Sequence, residues 1–148
     1  MAISAYPPKV PQKNVVTLTS GSSWTVPAGV IQVVVTTIGG GGGGWNLVTN
    51  GSAPGAGGQI RISTVTTTPG ASISYSIGAG GTGRQTIGGT VAPTAGGNTT
   101  FTGATTANGG AAGGTAVGLA ALNGALETTN TSTGNDGGQG MITVEYWL

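Results

Sequence analysis

The sequence predicts an all-β chain, a glycine-rich β-sandwich or jelly-roll-like module with long glycine-rich loops and an extended N-terminal arm. Three observations lead there. Short runs of alternating apolar and polar residues recur at about 8–12-residue spacing, with Gly, Pro, Asn and Ser between them. Threonine is abundant, and its stiff β-branched side chain suits a pleated sheet. Glycine supplies 32 of 148 residues while charged residues make up 5%, against about 7% and about 25% in ordinary domains. The glycines keep no three-residue register throughout, which excludes collagen. A net charge of +1 excludes charge-driven disorder.

At this length one domain is expected, with an arm at residues 1–13 and a β domain at residues 14–148. The arm (MAISAYPPKVPQK) holds Pro7, Pro8 and Pro11, which fix φ and bar helix. Tyr6, Pro7, Pro8, Lys9, Pro11 and Lys13 are its candidate anchoring residues. It has no apolar core of the kind a secretory leader needs, so export by that route is not expected. No apolar stretch reaches the ~20 residues of a membrane-spanning helix, and membrane insertion is not expected.

The elements follow in order. Residues 15–19 form a strand with Val16 and Leu18 on one face, and Ser20-Gly21-Ser22 turns it back toward Trp24-Thr25-Val26. Pro27-Ala28-Gly29 turns again. Residues 30–38 are apolar on both faces at Ile31, Val33, Val34 and Val35, the mark of a central, covered strand. Six glycines follow at 39–44, ended by Trp45, and residues 46–58 read as loop. Residues 59–68 and 71–77 read as a hairpin about Pro69-Gly70, the central pair of a type II turn. In its second strand Ile73, Tyr75 and Ile77 point inward and Ser72, Ser74 and Ser76 outward. Residues 78–97 read mostly as loop with a strand near 85–87, and Phe101 marks another strand. Residues 116–126 (AVGLAALNGAL) read as a short helix. Residues 139–148 form a strong strand, centrally paired, with Ile142, Val144 and Tyr146 on one side.

Catalytic chemistry is poorly provided. The chain lacks histidine and cysteine, so a histidine base, thiolate chemistry and a structural zinc site are excluded. The only carboxylates are Glu127, Asp136 and Glu145. A glycosidase-type pair would have to be Glu127 with Asp136, while Glu145 reads as one exposed strand residue. Gly78-Ala79-Gly80-Gly81-Thr82-Gly83 matches the dinucleotide fingerprint G-x-G-x-x-G and follows a strand. The helix that must follow is blocked by glycines and Pro93, so it reads as a loop. No cofactor is expected. Lys9, Lys13, Arg61 and Arg84 are scattered, which gives no groove for nucleic acid. Trp24 and Trp147 read as core or interface packing. Trp45 reads either as a cap on the sheet or as an exposed contact.

Trp24-Thr25-Val26-Pro27-Ala28-Gly29-Val30, then Val33 to Ile38 and the glycine run 39–44, resembles the glycine-rich domain of bacteriophage virion proteins, a module of tail fibres. The resemblance continues through Gly57-Gly58-Gln59-Ile60, Thr68-Pro69-Gly70, Ile77-Gly78-Ala79-Gly80-Gly81 and Gly97-Asn98-Thr99-Thr100-Phe101. It closes on Gly138-Gln139-Gly140-Met141-Ile142-Thr143-Val144-Glu145-Tyr146. It implies a non-enzymatic structural protein of the virion, made in the host bacterial cytoplasm. Its partners would be other virion proteins (capsid, tail or fibre) and a host surface glycan or protein.

A tail-fibre or receptor-binding role is the leading expectation, with host contacts at Trp45, Asn46, Asn50, Arg84 and Gln85. The module is nearly the whole chain here, without shaft repeats or heptads. That keeps a capsid decoration or cement protein, or a head fibre anchored by the arm, as the alternative. Exposed strand edges predict a homo-oligomer, with a trimer favoured. The run 39–44 has two readings: a mobile loop, or an extended segment whose bare backbone packs on equivalent segments as in polyglycine II.

Overall fold

A computed structural model describes residues 10–47, 51–83, 91–113 and 136–148. The expected strand at 85–87 and helix at 116–126 lie outside these residues. Among the described residues the chain is all-β, with strands β1 (Lys13–Leu18), β2 (Ser23–Thr25), β3 (Gln32–Ile38), β4 (Trp45–Leu47), β5 (Gly51–Ala53), β6 (Ile60–Thr66), β7 (Ser72–Ser76), β8 (Thr100–Phe101) and β9 (Met141–Trp147). One antiparallel sheet has the order β1-β9-β3-β6 and a second the order β2-β7-β8. They face each other as a sandwich. Its core is Val26, Val30, Val33, Val35, Val65, Tyr75, Phe101, Ile142 and Val144.

Side-chain alternation predicts these faces well. β3 lies between β9 and β6, central as expected, but cover on both faces is not found: Val33, Val35 and Thr37 are buried under the second sheet, while Val34, Thr36 and Ile38 are half-buried on the outer face. Ile142 and Val144 are fully buried on the central β9, and Tyr146 packs against the same core. Trp24 seats its ring against Phe101 and Tyr146, at centroid distances of 6.3 and 6.1 Å. Gly21, Gly29 and Gly70 turn the chain at φ of +91°, +84° and +79°, where a side chain would be strained.

Strand pairing departs from the expectation in several places. Residues 59–68 and 71–77 are not a hairpin, because β6 joins the first sheet and β7 the second. The type II turn is present, with the Ala71 N–H donating to the Thr68 carbonyl at 3.0 Å. It forms an arch over the core, so Val65 and Tyr75 both point inward from opposite layers. Val26 claims the returning strand instead: its N–H donates to Ala71 and its carbonyl accepts from Gly70, both at 2.9 Å. β1 and β2 likewise belong to different sheets. Trp147 is 47% exposed on the outer face, so of its two expected roles, core or interface packing, the first does not apply.

The largest departure concerns the supposed loops. Residues 46–58 contain the rest of the small β4–β5 hairpin and then an extended segment, 55–59, that leads into β6. Residues 39–44 are all buried and none has positive φ. The N–H groups of Gly39, Gly40 and Gly41 donate to Gln59, Gly97 and Gly138 at 2.9, 2.9 and 2.8 Å. Gly42 and Gly43 then return to Ala56 and Thr94, in the first two of those segments. A donor that comes back to the same neighbour every third residue defines a threefold screw, the polyproline-II-type path of polyglycine II.

Carbonyls of the run accept in other directions, from Gly81, Gly110 and Gly113 at 2.7–2.8 Å. Five segments, at 55–59, 78–83, 94–98, 107–113 and 137–140, thus surround residues 39–44 among the described residues. The extended-segment alternative holds. β3, β6, β7, β8 and β9 all continue directly into this bundle.

Close approach accounts for the glycines. A Cβ on Gly39, Gly40, Gly42 or Gly43 would strike the backbone carbonyls of Asn108, Ala79, Ala111 or Thr82 respectively. Peripheral segments need glycine where they face the central run, as at Gly55 and Gly58, three residues apart, and again where they press on one another, as at Gly78, Gly80 and Gly109. Between such positions Ala79, Thr82, Thr94 and Ala111 carry side chains toward solvent.

Two alanine substitutions separate close approach from backbone conformation. Gly42→Ala should cost about 3 kcal/mol, because backbone on the neighbouring segment has to move. Gly70→Ala has open space around it and should cost about 1 kcal/mol from the left-handed backbone alone. Urea unfolding of the two variants measures the difference.

Candidate functional site

The molecule is polar in layout. β1 and β9 pair Lys13 with Trp147 at one end and Leu18 with Ile142 at the other. Gln12 and Leu148 exchange backbone hydrogen bonds of 2.7 and 3.1 Å at the first end. The turn at Gly29 lies beside Leu148. The glycine bundle occupies the opposite end, where β9 begins and β3 stops. Three stretches of the sequence, the excursions 45–54, 84–93 and 114–136, are each flanked on both sides by described residues of this bundle.

The described feet of these excursions are braced against one another. Thr82 donates its N–H to Thr94 Oγ1 at 2.8 Å, and the two hydroxyls meet at 3.0 Å. The Gly83 N–H donates to the Asp136 carboxylate at 2.6 Å. Gly43 accepts from Gly113 at 2.7 Å and donates to Thr94 at 3.0 Å. Trp45, half-buried, leaves the central segment directly and opens β4 opposite Ala53. Feet from all three excursions therefore stand on one hydrogen-bonded platform.

The expected contact residues divide accordingly. Trp45 lies at this tip, and Asn46 pairs with Ser52 in the β4–β5 hairpin. Asn50, Arg84 and Gln85 are outside the described residues. So are Tyr6, Pro7, Pro8 and Lys9 of the arm. Pro11 is exposed, and the Lys13 ammonium lies 2.8 Å from the Glu145 carboxylate on the outer sheet face. With side chains 49% and 29% exposed, this pair contributes about 0–1 kcal/mol. Thr82 and Thr94 were not singled out by sequence as contacts, and Asp136 was considered only as half of a carboxylate pair with Glu127. Their signal is position: each sits where a glycine segment gives way to a side chain.

The G-x-G-x-x-G stretch is extended and is a wall of the bundle. Its Gly78, Gly81, Thr82 and Gly83 N–H groups donate to Thr99 Oγ1, the Gly41 carbonyl, Thr94 Oγ1 and Asp136. Amides committed in this way cannot cradle a phosphate, which needs N–H groups aimed at the ligand. Asp136 is occupied by Gly83, while Glu127 is outside the described residues. Among the described residues, no three His, Cys, Asp or Glu side chains cluster as metal ligands. A cavity of about 330 Å³ between β6 and β7 is lined by Val65, Thr67, Ala71, Ile73 and other uncharged residues.

The glycine-rich domain family matches residues 17–146, and the chain belongs to that family. That span covers both sheets and every segment of the bundle. No curated protein matches the chain.

Asp136→Ala tests the platform. It should lower global stability by about 1.5–3 kcal/mol, the usual worth of a hydrogen bond to a charged group. The Gly83 amide should lose its protection in hydrogen exchange while the sandwich amides keep theirs.

Proposed function

We propose that the chain is a non-enzymatic structural protein of the bacteriophage virion, of the tail-fibre or receptor-binding type. It is displayed on the particle surface and touches the host at the tip of its glycine bundle, with Trp45 and Asn46 among the contacts. The observation that carries this reading is the common, cross-braced platform at the end opposite Gln12 and Leu148. Loops held by a rigid scaffold can change sequence without disturbing the core. The bundle suits this role because backbone hydrogen bonds hold it, and these do not depend on the side chains of the excursions. Its partners are other virion proteins at the base and a host surface glycan or protein at the tip. The internally committed amides of Gly78, Gly81, Thr82 and Gly83 and the uncharged cavity support a role without catalysis or cofactor.

Purified protein should bind cells of the host bacterium and compete with phage adsorption. Replacing residues 46–52 and 85–92 with Gly/Ser linkers should abolish both effects and leave the sandwich folded by circular dichroism. Binding to expanded capsids alone, lost when residues 1–13 are removed, would instead assign the protein to capsid decoration.

A further inference from the structure

β6 is an edge strand, and its backbone phase is fixed at both ends. Gly39 donates to Gln59, and Thr67 donates to Ile31 at 2.8 Å. The odd-numbered residues between therefore turn their N–H and carbonyl groups toward β3. Ile60, Ile62, Thr64 and Thr66 turn theirs outward, where no other strand pairs with them among the described residues.

Edge strands are normally guarded by shortness, charge, proline or a bulge. β1, the other edge of this sheet, has Pro11 before it and Lys13 within it. β2 and β8, the edges of the second sheet, have three and two residues. β6 has seven residues, no proline and no lysine, and its register against β3 is unbroken. Its outward residues carry no charge. Ile62 is 70% and Ile60 44% exposed on the outer face, beside half-buried Ile38 and Val34 of β3. Arg61 points to the other face and hydrogen-bonds Gln59.

An antiparallel edge is its own complement: a two-fold axis perpendicular to the sheet brings its outward donors onto the acceptors of a second copy. The same axis keeps both sets of isoleucines on one face, and uncharged positions meet without repulsion. We propose that β6 is the seam of a two-fold homodimer, joining the two four-stranded sheets edge to edge with Ile60 and Ile62 of both copies adjoining. The occupant of the open edge is thus a second copy of this chain. Strand pairing about such an axis closes at two, in contrast to the expected trimer, and sets the two glycine bundles at opposite ends. The inference rests on the sheet edge and is independent of the phage reading.

Analytical ultracentrifugation of the full chain, from micromolar to millimolar, should give twice the monomer mass at the upper end. The amides of Ile60, Ile62, Thr64 and Thr66 should gain hydrogen-exchange protection over the same range. Ile62→Lys places like charges across the seam and should weaken association roughly tenfold or more with unchanged thermal unfolding of the monomer. Val15→Lys, on the opposite edge, should leave association as it was. A monomer at every concentration, a trimer, or a dimer that Ile62→Lys leaves intact would overturn the proposal. So would concentration-independent protection of the four amides, which would mean that the chain covers its own edge.

Discussion

The hydrogen bond from Gly40 to the Gly97 carbonyl, 2.9 Å long, joins two layers that, among the described residues of the sandwich itself, do not touch through their backbones. Gly40 continues β3 of one sheet and Gly97 leads into β8 of the other. Within the sandwich, side chains hold such layers about 10 Å apart. Where the side chains stop, the layers converge until backbone meets backbone. Gly137 to Gly81 and Gly140 to Gly78 are further bonds of this kind, at 2.7 and 2.8 Å. The fold thus has two regimes. One is held by burying valines and aromatics, the other by satisfying peptide groups in three directions.

The junction between the regimes needs its own fastening. Thr99 is fully buried there, donating its hydroxyl to the Ile38 carbonyl at 2.7 Å and accepting the Gly78 N–H at 2.9 Å. One side chain thereby ties the end of β3 to the start of a segment from the opposite layer. Its backbone bridges Ala107, another fully buried residue. A buried polar group without partners would cost about 1–3 kcal/mol. With both capacities used, Thr99 serves where a glycine is too small to fill space and a valine has nothing to donate.

Alternation along single strands made the faces legible in the sequence: Ile73, Tyr75 and Ile77 inward, Ile142, Val144 and Tyr146 inward. It did not reveal neighbours. A period of two says which way a side chain points and leaves open which strand lies alongside, so Pro69-Gly70 read equally well as a hairpin or as the arch that it is. The bundle was harder, because every bond of residues 39–44 is to a distant segment and no local pattern marks one. A signal exists nonetheless. The surrounded segment is glycine at every position, whereas flanking ones are interrupted by residues such as Ala79, Thr82 and Ala111, and need glycine only where another backbone comes close. At the tip, Trp45 could be found from composition. Asp136 could not, since its role depends on Gly83, fifty-three residues away.

Glycine therefore does opposite things in this chain. At Gly21, Gly29, Gly70 and Gly103 it supplies positive φ, the conformational licence usually associated with the residue. In residues 39–44 that licence is unused, and what matters is the missing Cβ. Ordering glycine costs roughly 0.5–1 kcal/mol more per residue than ordering alanine. A net gain of about 1 kcal/mol for each buried backbone hydrogen bond offsets that cost, provided that donors and acceptors are both used. Five surrounding segments meet that condition for the central run, and a shorter or sparser bundle would not. Enclosure thus gives one backbone path to a run that, read alone, has the composition of a linker.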